Sequence, residues 1–167
     1  MPNTISRAVI YARKSTESDD RQVLSIDSQI EELKLHALKT GFAISTVYCE
    51  AQSAKYPGRR VFDEMISSMG LNRASTILCW SLDRLARNPI DGARLIWAID
   101  QGTLRSIQTP RQTFSNSSND KFLMNLEFGI AKKYIDDLSE NTRRGLRAKL
   151  KLGWRPGLPP LGYLSEQ

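Results

Sequence analysis

Three short runs bring together a hydroxyl, several guanidinium groups and one carboxylate. In Tyr11-Ala-Arg13-Lys-Ser15 the polar side chains alternate where a strand-like run, Ala8-Val-Ile-Tyr-Ala12, ends, so Tyr11, Arg13 and Ser15 can share one face. An arginine beside a serine can hold a phosphate and favour an alkoxide-like nucleophile. Asp83-Arg84-Leu-Ala-Arg87 follows a second apolar run, Thr76 to Trp80, and its two arginines stand three apart, neighbours on one helical turn. Ser53-Ala-Lys55-Tyr-Pro-Gly58-Arg59-Arg60 is a third basic loop, and its Pro-Gly pair lets the backbone turn tightly.

The same runs lack a metal-binding set. His36 is the only histidine, it sits in an amphipathic pattern that reads as structural, and no paired carboxylates stand beside the arginines. Fixed cations are then expected to stabilise the charge of a phosphoryl-transfer transition state, a task suited to bidentate guanidinium groups.

The elements that position these loops alternate. Ser25 is an expected N-cap with Asp27 in the first turn, and Ile30, Leu33, Ala37 and Leu38 recur at helical spacing up to Gly41. Phe42 to Tyr48 reads as a strand, Arg59 to Met69 as a helix, Thr76 to Trp80 as a buried strand, Ile90 to Ile99 as a helix and Leu104 to Gln108 as a strand before a Ser/Asn-rich loop. The fold class expected is α/β, with a mostly parallel central sheet flanked by helices and a long C-terminal helix. In such sheets the loops at strand C-terminal ends carry the chemistry.

Lys121 to Leu152 contains no proline and exceeds an ordinary globular helix in length. Leu123, Leu126, Ile130, Tyr134 and Leu138 form one apolar stripe, and Met124, Phe128, Ala131 and Ile135 form another. Two stripes need two partners: the sheet domain and the same helix of a second subunit, hence a homodimer or an assembly of dimers. The expected organisation is a catalytic domain over residues 1–120, a helix for dimerisation and DNA contact over 121–152, and a Pro/Gly-rich linker over 153–167 that leads towards a further domain.

Charge points to a polyanionic partner. The chain has 24 Lys and Arg against 18 Asp and Glu, a net charge of +6. Arg143, Arg144, Arg147, Lys149, Lys151 and Arg155 crowd its end with Glu140 as the only acid among them. That concentration favours contact with a phosphate backbone over a merely solvated helix end. Cys49 and Cys79 lie in apolar runs and read as small buried hydrophobes of a reducing compartment. No secretory leader and no membrane-length apolar run is seen, so a cytoplasmic location is expected.

Tyr11-x-Arg13-x-Ser15, Asp83-Arg84-Leu85-Ala86-Arg87 and the long terminal helix resemble the resolvase/invertase family of serine recombinases over nearly the whole chain. The Ser53 to Arg59 loop and the Gly153 to Tyr163 linker are most similar to the large members, the phage integrases and transposon recombinases. The resemblance implies that Ser15 becomes joined to a DNA 5′ phosphate and releases a 3′ hydroxyl, with no ATP, metal or other cofactor. It implies that Arg13, Arg59, Arg84 and Arg87 bind and stabilise the reacting phosphate, with Asp83 orienting them or aiding proton transfer. Tyr11 shares that site, Lys55 and the terminal basic residues contact DNA, and dimers pair into a tetramer on double-stranded DNA. Arg60 stands where many members have proline and competes with Arg59; Asn141 follows Glu140 where small resolvases have arginine. Two other readings are a non-catalytic DNA-binding or assembly module, and a small-molecule phosphatase or hydrolase. The second lacks a Gly-x-Ser-x-Gly elbow around Ser15.

Overall fold

The structure is a computed structural model that describes residues 6–14, 25–69 and 74–157. Ser15, the rest of the polar loop after the first strand, and the linker beyond residue 157 lie outside the described residues. The elements run β1 (Arg7–Arg13), α1 (Ile26–Thr40), β2 (Ala43–Glu50), α2 (Arg60–Ser68), β3 (Ala74–Cys79), α3 (Leu82–Leu85), α4 (Pro89–Asp100), β4 (Ser106–Gln108), β5 (Thr113–Ser115) and α5 (Ser118–Lys151). The sheet order is β2-β1-β3-β4-β5, parallel except for β5, which pairs antiparallel with β4.

β1 is buried from Ala8 to Arg13, because a central parallel strand is covered on both faces. Ala8, Ile10 and Leu78 pack with Leu33 and Ala37 of α1. Val9, Tyr11, Ile77 and Cys79 face the other layer, with Phe62 and Met65 of α2, Leu95 and Ile99 of α4, and Met124 and Phe128 of α5. The connection from β1 leads outward to β2, while that from β3 leads the opposite way to β4. β1 and β3 therefore flank a topological switch point, where an open α/β sheet binds ligands beyond the strands' C-terminal ends.

Local chemistry explains the boundaries. Ser25 Oγ accepts the Ser28 N–H and caps α1. Asn88 caps α4 through the Asp91 N–H, and Pro89 occupies the first turn, where a missing N–H costs nothing. Gly92 lies so close to α5 that a Cβ there would stand 2.8 Å from the Phe128 ring.

Three expectations are corrected. Cys79 is buried but Cys49 is exposed, because β2 is an edge strand and Cys49 alternates to the face opposite buried Tyr48 and Glu50. β5 replaces part of the expected Ser/Asn-rich loop: its single apolar residue, Phe114, is 4% exposed, a period too short to see in sequence. Arg84 and Arg87 do not share a helical turn, since α3 stops at Leu85 and Ala86 is extended.

The chain divides into two compact units after Lys132. Up to that point α5 buries Met124 and Phe128 and leaves Phe122, Leu126 and Ile130 exposed. From Lys133 onward the helix is a unit of its own, laced by Lys133–Asp137 and Arg144–Glu140 pairs one turn apart. Among the described residues no helix is long and apolar enough to cross a membrane.

Gly92→Ala is expected to destabilise the fold by about 1–3 kcal/mol through overpacking against Phe128, despite alanine's better helix propensity. Urea unfolding checks this, and wild-type stability would contradict the close approach.

Candidate active site

Asp83, Arg84 and Leu85 are the last residues of a four-residue helix, so their carbonyls lack the N–H groups that a longer helix would supply. Side chains from elsewhere fill that role. Arg13 Nε donates to the Arg84 carbonyl at 3.1 Å and Nη2 to that of Asp83 at 3.5 Å. Arg87 Nε donates to the Asp83 carbonyl at 3.3 Å, and Arg59 Nη2 donates to that of Leu85. Arg13, Arg59, Arg84 and Arg87 are all buried, and the switch point is thereby lined with guanidinium groups.

Asp83 is paired with this group through Arg87. It accepts from Ser81 Oγ, and from Arg87 Nη2 at 3.1 Å. Burial pushes its pKa up, but the Ser81 hydrogen bond and the charges of Arg84 and Arg87 win and hold it below the usual carboxylate range. Arg13 is pushed down to about 10, first by burial and then by the positive charges of Arg87 and Arg84. It remains protonated at neutral pH.

Tyr11 is fully buried, edge-on to the Phe62 ring at 6.1 Å. Its hydroxyl accepts from Arg59 Nη1 at 2.7 Å, and burial drives its pKa upward against the pull of Arg59, which keeps it neutral. In the third loop, Gly58 takes a φ of +86°, a left-handed turn that glycine adopts without strain. Lys55 is half-buried beside Ser53, whose Oγ accepts the Lys55 N–H. Arg60 is exposed, while Arg59 is 1% exposed and enters the site.

Sequence reasoning counted a single acid here, and that is corrected. Asp91 is 0% exposed and pairs with Arg59 at 2.9 Å. Glu50 is 3% exposed and sits opposite Arg13 in the strand register. The missed signal for Asp91 is its position four residues before Leu95 on the buried stripe of α4. For Glu50 it is the alternation with Tyr48. Arg143, Arg144, Arg147, Lys149 and Lys151 are exposed in the separate helical unit. Among the described residues no cluster of His, Cys, Asp and Glu is arranged to hold a metal ion.

Open α/β sheets bind ligands at the switch point, and guanidinium groups there have a geometry that suits carboxylate or phosphate oxygens. The family model described as "Resolvase, N terminal domain" matches residues 8–154, and the chain belongs to that family, as its motifs implied. A resolvase from Clostridium perfringens is 28% identical over 153 residues, which is 89% of this chain and 75% of the relative. The N-terminal catalytic domain of TP901-1 integrase has a similar fold, with a TM-score of 0.59 at 21% identity over 80% of this chain and 98% of that one. A resolvase family site-specific recombinase from Streptococcus pneumoniae gives 0.55 at 19% identity, over 87% and 99%.

Because Asp83 is held below its ordinary pKa, its contribution to stability is present above the unfolded carboxylate value and lost as pH falls through the lower folded value. Asp83→Asn is expected to flatten the decline in stability between about pH 5 and pH 2. Denaturant titrations across that range test it, and an unchanged slope would disprove it.

Proposed function

We propose that the chain is the catalytic domain of a serine site-specific DNA recombinase. Ser15 Oγ attacks a scissile phosphodiester; a bond from that oxygen to phosphorus forms as the bond to the 3′ oxygen breaks, and the leaving oxygen takes up a proton. The product is a 5′ phosphoserine linkage and a free 3′ hydroxyl. After strand exchange, a 3′ hydroxyl from the partner duplex attacks the same phosphorus and releases Ser15. The number of phosphoester bonds is conserved, so the cycle needs neither ATP nor another high-energy cofactor; fixed guanidinium groups stand where a metal would stabilise the charge.

The observation that carries this reading is the convergence of Arg13, Arg84 and Arg87 at the end of the strand that leads directly into Ser15, where Asp83 pairs with Arg87 and Glu50 stands opposite Arg13 in the strand register. Guanidinium groups gathered in this way can hold phosphate oxygens bidentately. A phosphate gaining charge in the transition state is stabilised most by donors fixed in advance.

DNA contact and assembly follow from the long helix. Arg143, Arg144, Arg147, Lys149 and Lys151 supply backbone contacts, and Lys55 of the third loop supplies another. Phe122, Leu126 and Ile130 leave an apolar face that a second copy would cover, giving a dimer and, on two duplexes, a tetramer. The reaction places the protein with the DNA in the cytoplasm.

The full-length protein, incubated with a fragment library of its host's DNA and quenched in denaturant, is expected to carry 5′-linked DNA on the peptide containing Ser15. Ser15→Ala should abolish the adduct, and Arg84→Ala should slow its formation by about 10²–10³-fold. Efficient specific binding with no adduct would favour a non-catalytic assembly module. Replacing Arg143 and Arg147 together by alanine should reduce the slope of log affinity against log salt by about two. An unchanged slope would place those side chains away from the backbone.

A further inference from the structure

The buried arginines at the switch point fall into two electrostatic groups. The charges acting on Arg13 are Arg87, Arg84 and Asp83, besides the Tyr11 hydroxyl. A second buried carboxylate, shared with Arg94, faces Arg59. Arg59 Nη2 meets Asp91 Oδ2 at 2.9 Å, with side-chain exposures of 2% and 0%, and its guanidinium lies 4.3 Å over the Phe62 ring. Nη1 is used on Tyr11 and Nη2 also on the Leu85 carbonyl.

Asp91 is itself held in place. Asn88 Nδ2 donates to Asp91 Oδ2 at 2.8 Å and to the Ala54 carbonyl at 3.0 Å, and the same carbonyl accepts the Arg87 N–H at 3.1 Å. The fork of Arg59 thus ties the end of β1, through Tyr11, to the carbonyl two residues before Arg87. Asp91 anchors that fork to α4.

We propose that Asp91 is a positioning residue: with Arg59 it forms a charge-neutral buried strut that fixes Tyr11 and the Leu82–Arg87 turn. The strut thereby aims Arg13, Arg84 and Arg87 at the scissile phosphate and does not bind it. This rests on the recombinase reading above and assigns Arg59 a role different from that of the other three arginines. An isolated buried Arg59 would be strongly disfavoured, so Asp91 offsets its charge and holds the guanidinium in place.

The test uses full-length protein and a duplex recovered as a covalent adduct from the library, with adduct formation followed in single turnover at saturating protein. Asp91→Asn is expected to slow adduct formation about 100-fold, the scale of a misplaced catalytic group, while the Kd for the duplex stays unchanged. Arg59→Lys serves where Asp91→Asn fails to fold: it keeps a cation facing Asp91 but loses the fork, and it should show the same split between rate and binding. A duplex with a neutral methylphosphonate at the scissile position separates the two arginine groups. Arg84→Ala should recover towards the wild-type rate on it, because the charge it neutralised is gone, whereas Arg59→Ala should not.

Wild-type rates in folded Asp91→Asn or Arg59→Lys would overturn the strut. So would recovery of Arg59→Ala on the neutral duplex, which would make Arg59 a phosphate ligand. If the wild-type protein forms no adduct with any duplex, the recombinase reading falls and takes the strut's role with it. If it does form one and the variants match it, only the strut falls.

Discussion

The site depends on how the end of one very short helix is satisfied. α3 stops after four residues because Asn88 and Pro89 begin the next helix immediately, which leaves the carbonyls of Asp83, Arg84 and Leu85 without backbone donors in a buried place. Unpaired, each would cost roughly 1–3 kcal/mol. Arg13 lies 70 and 71 residues from two of these carbonyls, and Arg59 lies 26 from the third. The requirement to satisfy a peptide carbonyl therefore draws strand end, loop and turn together, and delivers guanidinium groups to the point where β1 and β3 part.

Charge then divides the assembly. Beside β1 and α3, Asp83 pairs with Arg87, and Arg13 reaches the carbonyls of Asp83 and Arg84. Beside α4, Arg59 and Asp91 cancel, and Arg94 bridges Asp63 and the second oxygen of Asp91. Buried ion pairs contribute little net stability against their desolvation, but removing one partner is severe. Such pairs are better suited to fixing geometry than to holding the fold together. Neutral Tyr11 sits between the two regions and can report on both, since Arg59, Glu50, Arg13 and Asp91 all act on its hydroxyl.

α5 shows how one helix answers to different demands along its length. Its first half must seat Phe128 against Gly92 and leaves an apolar face uncovered, the pattern of a helix with two partners. From Arg143 to Lys151 exposed basic residues predominate, and burial plays no part there.

Much was legible in sequence because it is local. Period-two and period-3.6 patterns identified the principal strands and helices, and strand-then-loop placement put Arg13, Asp83 and Arg84 at one sheet edge. What the pattern could not reveal is what depends on partners distant in the chain. The exposure of Cys49 follows from β2 being an edge strand, β5 exists only by pairing with β4, and α3 ends where two capping demands meet. Glu50 and Asp91 look like ordinary polar residues of a strand and a helix, because burial and an arginine partner dozens of residues away give them their role. The sequence by itself determined the principal strands and helices and which polar side chains lie at their ends. Only the tertiary structure decided which described cations and carboxylates meet, since electrostatic compensation is a property of distances through space.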